Sequence, residues 1–140
     1  MKIVLDTNVL VSALWNAEGA PAKVVRLLGD GQLQLVTSPA ILAEYREVLT
    51  RKRFGFDPMR VAQILEFFGL VGMNVPGTAS QRKLPDTKDH AFLDAALEAK
   101  AEYLVTGNLK DFPEVVCLPV KPLGPTAFLA LWLGAQDWEK

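Results

Sequence analysis

The sequence predicts an α/β fold: a three-layer α/β/α sandwich around a parallel sheet of four to five strands in the order 3-2-1-4-5. Two observations carry this expectation. Short apolar runs alternate with stretches of helical periodicity along the chain, the pattern of strand–helix units. The chain also opens on an unbroken apolar run, Ile3-Val4-Leu5, as a strand buried on both faces of a parallel sheet requires. The right-handed crossover between parallel strands then restricts the order.

The first strand is expected at Lys2-Leu5 and ends on Asp6-Thr7-Asn8, with apolar residues resuming at Val9-Leu10-Val11. Pro21 suits the first turn of a helix reaching Leu28, which Gly29-Asp30-Gly31 ends. Leu33-Val36 reads as the second strand. Ser38-Pro39 is a cap followed by a first-turn proline, opening a helix through Leu49. Asp57-Pro58 repeats that signal for a helix through Phe68. A weak strand follows near Met73-Val75, then a long loop over Pro76-Pro85. Asp86-Thr87-Lys88-Asp89 precedes the apolar face Phe92, Leu93, Ala96 and Leu97 of a fourth helix. Tyr103-Val105 and Val115-Leu118 read as the last strands, and Gly124-Pro125-Thr126 opens a final helix through Leu133. Phe128 and Trp132 are expected in the core; Trp138 is too terminal to assign.

The chain has 140 residues, half of them hydrophobic and 22% charged, which fits one folded domain over residues 1–140 and excludes a disordered chain. Net charge is −1, so no global basic field attracts nucleic acid. A polyanion must be held by a local patch or through metal ions. The single cysteine, Cys117, cannot form an internal disulfide and reads as a small core residue. The start of the chain does not read as a signal peptide and no segment is long enough to span a membrane. The expected location is cytoplasmic.

Four acidic residues share a context. Asp6 stands at the carboxyl end of the first strand, where open α/β sheets place their ligands. Glu44 sits among Ile41, Tyr45 and Val48 on the helix after the second strand. Asp89 lies in the first turn of the fourth helix and shares the inward face of Phe92, Leu93 and Ala96. Asp111 follows the strand Tyr103-Val105 in a polar turn, Thr106-Gly107-Asn108-Leu109-Lys110-Asp111. Each has a structural reading alone: Asp6 as a helix cap, Glu44 as a surface acid paired with Arg51 or Arg46, Asp89 as a partner of the helix dipole, and Asp111 as a turn residue. Together they converge on one sheet edge, where packed carboxylates repel unless a cation is present. An all-oxygen set suits Mg²⁺ or Mn²⁺, and one His with one Cys is too few for a typical structural zinc site. Asp94, off the face of Asp89, is expected to be exposed.

The segments Val4-Leu5-Asp6-Thr7-Asn8-Val9-Leu10-Val11-Ser12-Ala13, Thr37-Ser38-Pro39 through Glu44, Pro85-Asp86-Thr87-Lys88-Asp89-His90-Ala91-Phe92-Leu93-Asp94-Ala95-Ala96 and Val105-Thr106-Gly107-Asn108 resemble, in order, the four motifs of the PIN-domain family, in particular the toxin-like branch related to VapC ribonucleases. The resemblance spans Lys2 to about Leu123. It implies a divalent-metal endoribonuclease, in this branch the toxin of a toxin–antitoxin pair. The implied metal ligands are Asp6, Glu44 and Asp89, with Asp111 as a further catalytic acid. Thr7 and Asn8 would orient Asp6 by hydrogen bonds, with Thr106 and Asn108 beside them. The implied partners are RNA, an antitoxin protein, and further copies of the chain in a homodimer or higher oligomer. The pattern departs from the family at two places: His90 stands where many relatives carry a second Asp, and Asn108 where many carry an Asp, with Asp111 three residues on.

Two other functions compete. A haloacid-dehalogenase-type phosphohydrolase also puts an Asp at the end of its first strand, but wants a second Asp where this chain has Asn8. A non-catalytic domain of the same fold would bind RNA or protein without cleavage. Arg46, Arg51, Lys52 and Arg53 form the best local patch for RNA, although cations are also favoured at a helix C-terminus on electrostatic grounds alone.

Overall fold

A computed structural model describes the backbone of residues 1–139 and the side chains of residues 1–136. Five strands form one parallel sheet: β1 (Lys2–Leu5), β2 (Gln34–Thr37), β3 (Met73–Asn74), β4 (Tyr103–Val105) and β5 (Lys121–Leu123). Their order is β3-β2-β1-β4-β5, as the alternating pattern predicts. Strand β1 is central, pairing Ile3 with Leu35 on one side and Leu5 with Val105 on the other. Ile3, Val4 and Leu5 are wholly buried, so helices cover both faces of the sheet.

Among the described residues seven α-helices surround it: α1 (Thr7–Trp15), α2 (Ala20–Gly29), α3 (Pro39–Leu49), α4 (Pro58–Val71), α5 (His90–Ala99), α6 (Glu114–Cys117) and α7 (Pro125–Glu139). Helix α5 packs against β1, β2 and β4, α4 against β2, and α2 against α1 and α7. Local sequence signals set several starts. Ser38 accepts a hydrogen bond from the Ile41 amide at 3.2 Å and Asp57 one from the Met59 amide at 3.1 Å, each ahead of a first-turn proline. Phe128 and Trp132 are buried, as is Cys117. The Trp138 side chain lies outside the described residues.

One expected element changes type. Val115-Leu118 is not a strand: Glu114–Cys117 is helical, with the Pro113 carbonyl accepting from the amides of Val116 and Cys117. A four-residue apolar run cannot be assigned by periodicity, because a buried helical turn and a buried strand look alike. The fifth strand lies later, at Lys121–Leu123, and contains Pro122. A proline lacks the N–H a central strand needs but is tolerated at an edge, and β5 is an edge strand.

The segment Pro76-Pro85 is a loop, as expected, and it is pinned to α5. The amides of Gly77 and Thr78 donate to Glu98, each at 3.1 Å, and the amide and hydroxyl of Ser80 donate to Asp94. Asp94 is therefore half-buried, not exposed as the sequence suggested. Its offset from Asp89 turns it toward the loop.

Candidate active site

Asp6 follows β1 while its amide still donates to the Val105 carbonyl of β4, at 2.9 Å. The neighbouring strand continues to Thr106, whose amide donates to Leu123 of β5. Asp6 and Thr106 therefore stand side by side at the carboxyl ends of adjacent parallel strands. The Thr106 hydroxyl donates to Asp6 Oδ2 at 2.8 Å and accepts from the Asn108 amide at 3.0 Å. Both residues are buried.

Asp6 occupies the cap position of α1, yet its carboxylate makes no capping hydrogen bond to that helix. Asp89 likewise occupies the cap position of α5, one residue before the first turn, and also makes none. It ends a short 3-10 turn, Thr87–Asp89. Capping therefore explains neither acid. One oxygen of Asp89, Oδ2, is buried without a hydrogen-bond partner among the described residues. An unpaired buried carboxylate oxygen is costly.

Asp111 ends another 3-10 turn, Leu109–Asp111, and accepts from Asn108 Nδ2 at 2.8 Å. Glu44 is half-buried on α3 and forms no salt bridge among the described residues; Arg51 pairs instead with Glu47, at 2.7 Å. Tyr45, next to Glu44, is wholly buried and donates to the Leu5 carbonyl at 2.7 Å. That bond fastens the helix bearing Glu44 to the strand bearing Asp6.

Electrostatics place the four acids in one field. Burial pushes the Asp6 carboxyl above its ordinary range; the hydrogen bond from Thr106 and the nearby Thr7 amide dipole oppose this, and the charges of Asp111 and Glu44 add to it. The Asp89 carboxyl is pushed up to about 7, first by burial and then by Asp6, Asp111, Asp86 and Glu44. Burial leads in both cases, and the neighbouring like charges add to it. Among the described residues no three of the acids converge tightly enough to form a ready cage for an ion. Mg²⁺ does not need such a cage: it takes one or two carboxylates and keeps several waters. The all-oxygen donor set and the orphaned Oδ2 of Asp89 fit such an ion.

Two expected supporting roles shift. Asn8 does not orient Asp6; its Oδ1 accepts from the Gly107 amide at 3.0 Å and so holds the turn after β4. The Thr7 hydroxyl is buried with no partner among the described residues; Thr7 helps Asp6 through its backbone amide. Adjacent positions on a helix point in different directions, and among the described residues it is the Thr106 hydroxyl, across the sheet, that donates to the Asp6 carboxylate. His90 is engaged with the loop: its Nε2 accepts from the Leu84 amide at 3.2 Å.

Arg46, Arg51, Lys52 and Arg53 are all exposed. Arg51 lies within the field of Glu44, which connects this patch to the acids. Lys88, which sequence reasoning did not single out, joins it: Glu47 is held below the usual carboxylate range by Arg51 first, and by Lys88 and Arg53 through space. A cavity of about 230 Å³ lies between α1, α2, α3 and α4, lined by Leu10, Leu14, Val25, Leu49 and Ile64 with Arg26 and Arg60. Its lining is mostly apolar and contains none of the four carboxylates.

Comparison with known proteins agrees with this architecture. An uncharacterized protein of Methanocaldococcus jannaschii is 33% identical over 112 residues, covering 77% of this chain and 71% of that protein. In structure the chain is similar to VapBC2 from Rickettsia felis, solved bound to a DNA fragment from its promoter, with a TM-score of 0.59, 20% identity, and coverage of 88% of this chain and 99% of the other. It is similar to the same degree to VapBC-1 from nontypeable Haemophilus influenzae, with a TM-score of 0.59, 20% identity, and coverage of 90% and 99%. No helix among the described residues is long and apolar enough to cross a membrane. The sequence model of the PIN domain matches residues 2–110, a span that includes Asp6, Glu44 and Asp89, and the chain belongs to the PIN-domain family.

Proposed function

We propose that this protein is a divalent-metal-dependent endoribonuclease that hydrolyses phosphodiester bonds in RNA. The observation that carries the reading is Asp89, a half-buried carboxyl with an orphaned oxygen, raised to about 7 by burial and by Asp6 and Asp111. A site that holds excess negative charge in this way favours a cation. Asp6, Glu44 and Asp89 would hold Mg²⁺ or Mn²⁺, with Asp111 beside them. When bound, the ion supplies a water of lowered pKa and charge stabilisation at the phosphoryl group.

The remaining work belongs to the chain. Thr106 holds the Asp6 carboxylate in one orientation, and Asn108 holds Asp111. Tyr45 keeps Glu44 beside the strand end. Arg51, Lys52, Arg53 and Lys88 offer cations to the phosphates that flank the scissile bond. The haloacid-dehalogenase alternative loses ground because Asn8 is committed to the Gly107 amide and no second acid stands at its position.

Membership of a toxin–antitoxin pair is part of the same reading. Its support is the likeness in fold to two VapBC proteins; an antitoxin partner, self-association and a cytoplasmic setting follow from it. The test is cleavage of single-stranded RNA by the purified chain with Mg²⁺ or Mn²⁺, then with EDTA, then with the metal restored. Cleavage lost and regained in step with the metal is expected. RNA binding without cleavage under any metal would favour a non-catalytic binding domain instead.

A further inference from the structure

A surface cluster separate from the acids has a composition that the fold does not explain. Trp15, the last residue of α1, is 61% exposed. Its ring meets Phe54 edge-on at 6.3 Å and Phe56 edge-on at 5.8 Å. Phe54 and Phe56 stack on each other at 5.5 Å with an interplanar angle of 11°. The intervening Gly55 makes this possible: its φ of 64° is left-handed and returns the chain on itself. The Arg53 guanidinium lies 4.9 Å from the Phe54 ring centre.

The surroundings of this cluster decide what it suits. Arg51, Lys52 and Arg53 are exposed on the same short segment. Glu47 responds to Arg51, Lys88 and Arg53 together, and Arg51 responds to Glu44. Arg53 touches the aromatic trio and Lys88 stands one residue before Asp89, so cationic side chains lie at both ends, in a chain whose net charge is −1. An aromatic face beside cations suits single-stranded nucleic acid, whose bases stack while its phosphates pair with Lys and Arg.

We propose that Trp15, set on Phe54 and Phe56 and flanked by Lys52 and Arg53, is a stacking platform that takes an unpaired RNA base and leads the strand toward the acidic site. This rests on the ribonuclease reading and adds where the substrate is held outside the reacting centre. Trp15 does not touch the reacting atoms; its part is to position the strand.

The test uses the full chain and a fluorescein-labelled oligoadenylate of about 12 nucleotides, within the usual span of such sites. Anisotropy in EDTA gives affinity without cleavage, and cleavage of the same oligonucleotide in Mn²⁺ is followed in parallel. Trp15→Ala should weaken binding by about 5- to 150-fold, the equivalent of losing one stacked base, while Trp15→Phe keeps most of it. Lys52→Ala with Arg53→Ala should make the salt dependence shallower by roughly 0.7 per cation removed. Melting curves check that the variants fold, as the exposure of Trp15 leads one to expect.

Unchanged affinity in Trp15→Ala, in a protein that still cleaves the oligonucleotide, overturns the platform and leaves the nuclease reading intact. A wild-type chain that neither binds nor cleaves removes both. A Trp15→Ala variant that sediments as a different oligomer but binds RNA normally makes the cluster a protein contact and overturns the inference.

Discussion

The phenol of Tyr45 donates to the carbonyl of Leu5 at 2.7 Å in a wholly buried setting. Leu5 precedes Asp6 and Tyr45 follows Glu44, so one hydrogen bond fixes the distance between two elements that each carry an acid. Burial, with the Asp6 charge adding to it, pushes the phenol well above its ordinary range. Tyr45 therefore stays protonated and remains a donor at any working pH.

Tyr45→Phe removes this bond and little volume. A buried carbonyl that loses its donor costs about 1–3 kcal/mol. Urea denaturation should show a loss in that range. RNA cleavage should fall through kcat more than through KM, since Glu44 is displaced and the basic surface is untouched. Wild-type kcat in a destabilised variant would make Tyr45 a packing residue only.

Asp89 ties stability to pH. The unfolded side chain releases its proton near 3.8 and the folded one near about 7. Between these values the folded protein keeps a proton that the unfolded chain has lost, so this contribution favours folding at the acid end and is lost as pH rises through the window. Asp6, also raised, acts in the same direction. Without metal, the melting temperature should therefore be higher near about pH 5 than near about pH 7.5 on this account. Asp89→Asn should shrink the difference, and Mn²⁺ should raise the melting temperature most at the higher pH. A wild-type difference that Asp89→Asn leaves intact would assign it to other groups.

How much of this was legible in the sequence depended on how local each signal was. Ser38-Pro39 placed α3 at its observed start because cap and proline act within one turn. Asp6 was legible because a carboxylate ending an apolar strand stands out. The bond from Thr106 to Asp6 joins residues 100 positions apart, and no spacing rule identifies which neighbour aims at the acid; Asn8 was the nearer candidate and turned out to hold Gly107. Strand β5 was hidden by Pro122, which only an edge position tolerates. The trio of Trp15, Phe54 and Phe56 was invisible for the same reason as Thr106, since α1 and the segment after α3 meet only in the fold.

Thr106 provides a second handle on Asp6. Thr106→Val keeps the shape but removes the donor to Asp6 and the acceptor for Asn108. The hydrogen bond from Thr106 lowers the Asp6 pKa, so its loss should raise that pKa further and move the acid limb of the cleavage profile to higher pH. Stability should fall by about 1–3 kcal/mol. Thr106→Ser, which keeps the hydroxyl, should restore the wild-type profile. An unshifted profile in Thr106→Val would mean that Asp6 does not set the acid limb.

Asp6→Asn bears most directly on the metal-nuclease assignment. The substitution keeps an oxygen able to accept from Thr106, while removing the proposed metal ligand and a charge that raises Asp89. The measurement is Mn²⁺-dependent cleavage of single-stranded RNA paired with a melting curve in EDTA. Cleavage should be nearly abolished, and the metal-free protein should melt at the same or a higher temperature because carboxylate repulsion is relieved. Full cleavage by Asp6→Asn would contradict the assignment, and a large loss of metal-free stability would make Asp6 a structural residue.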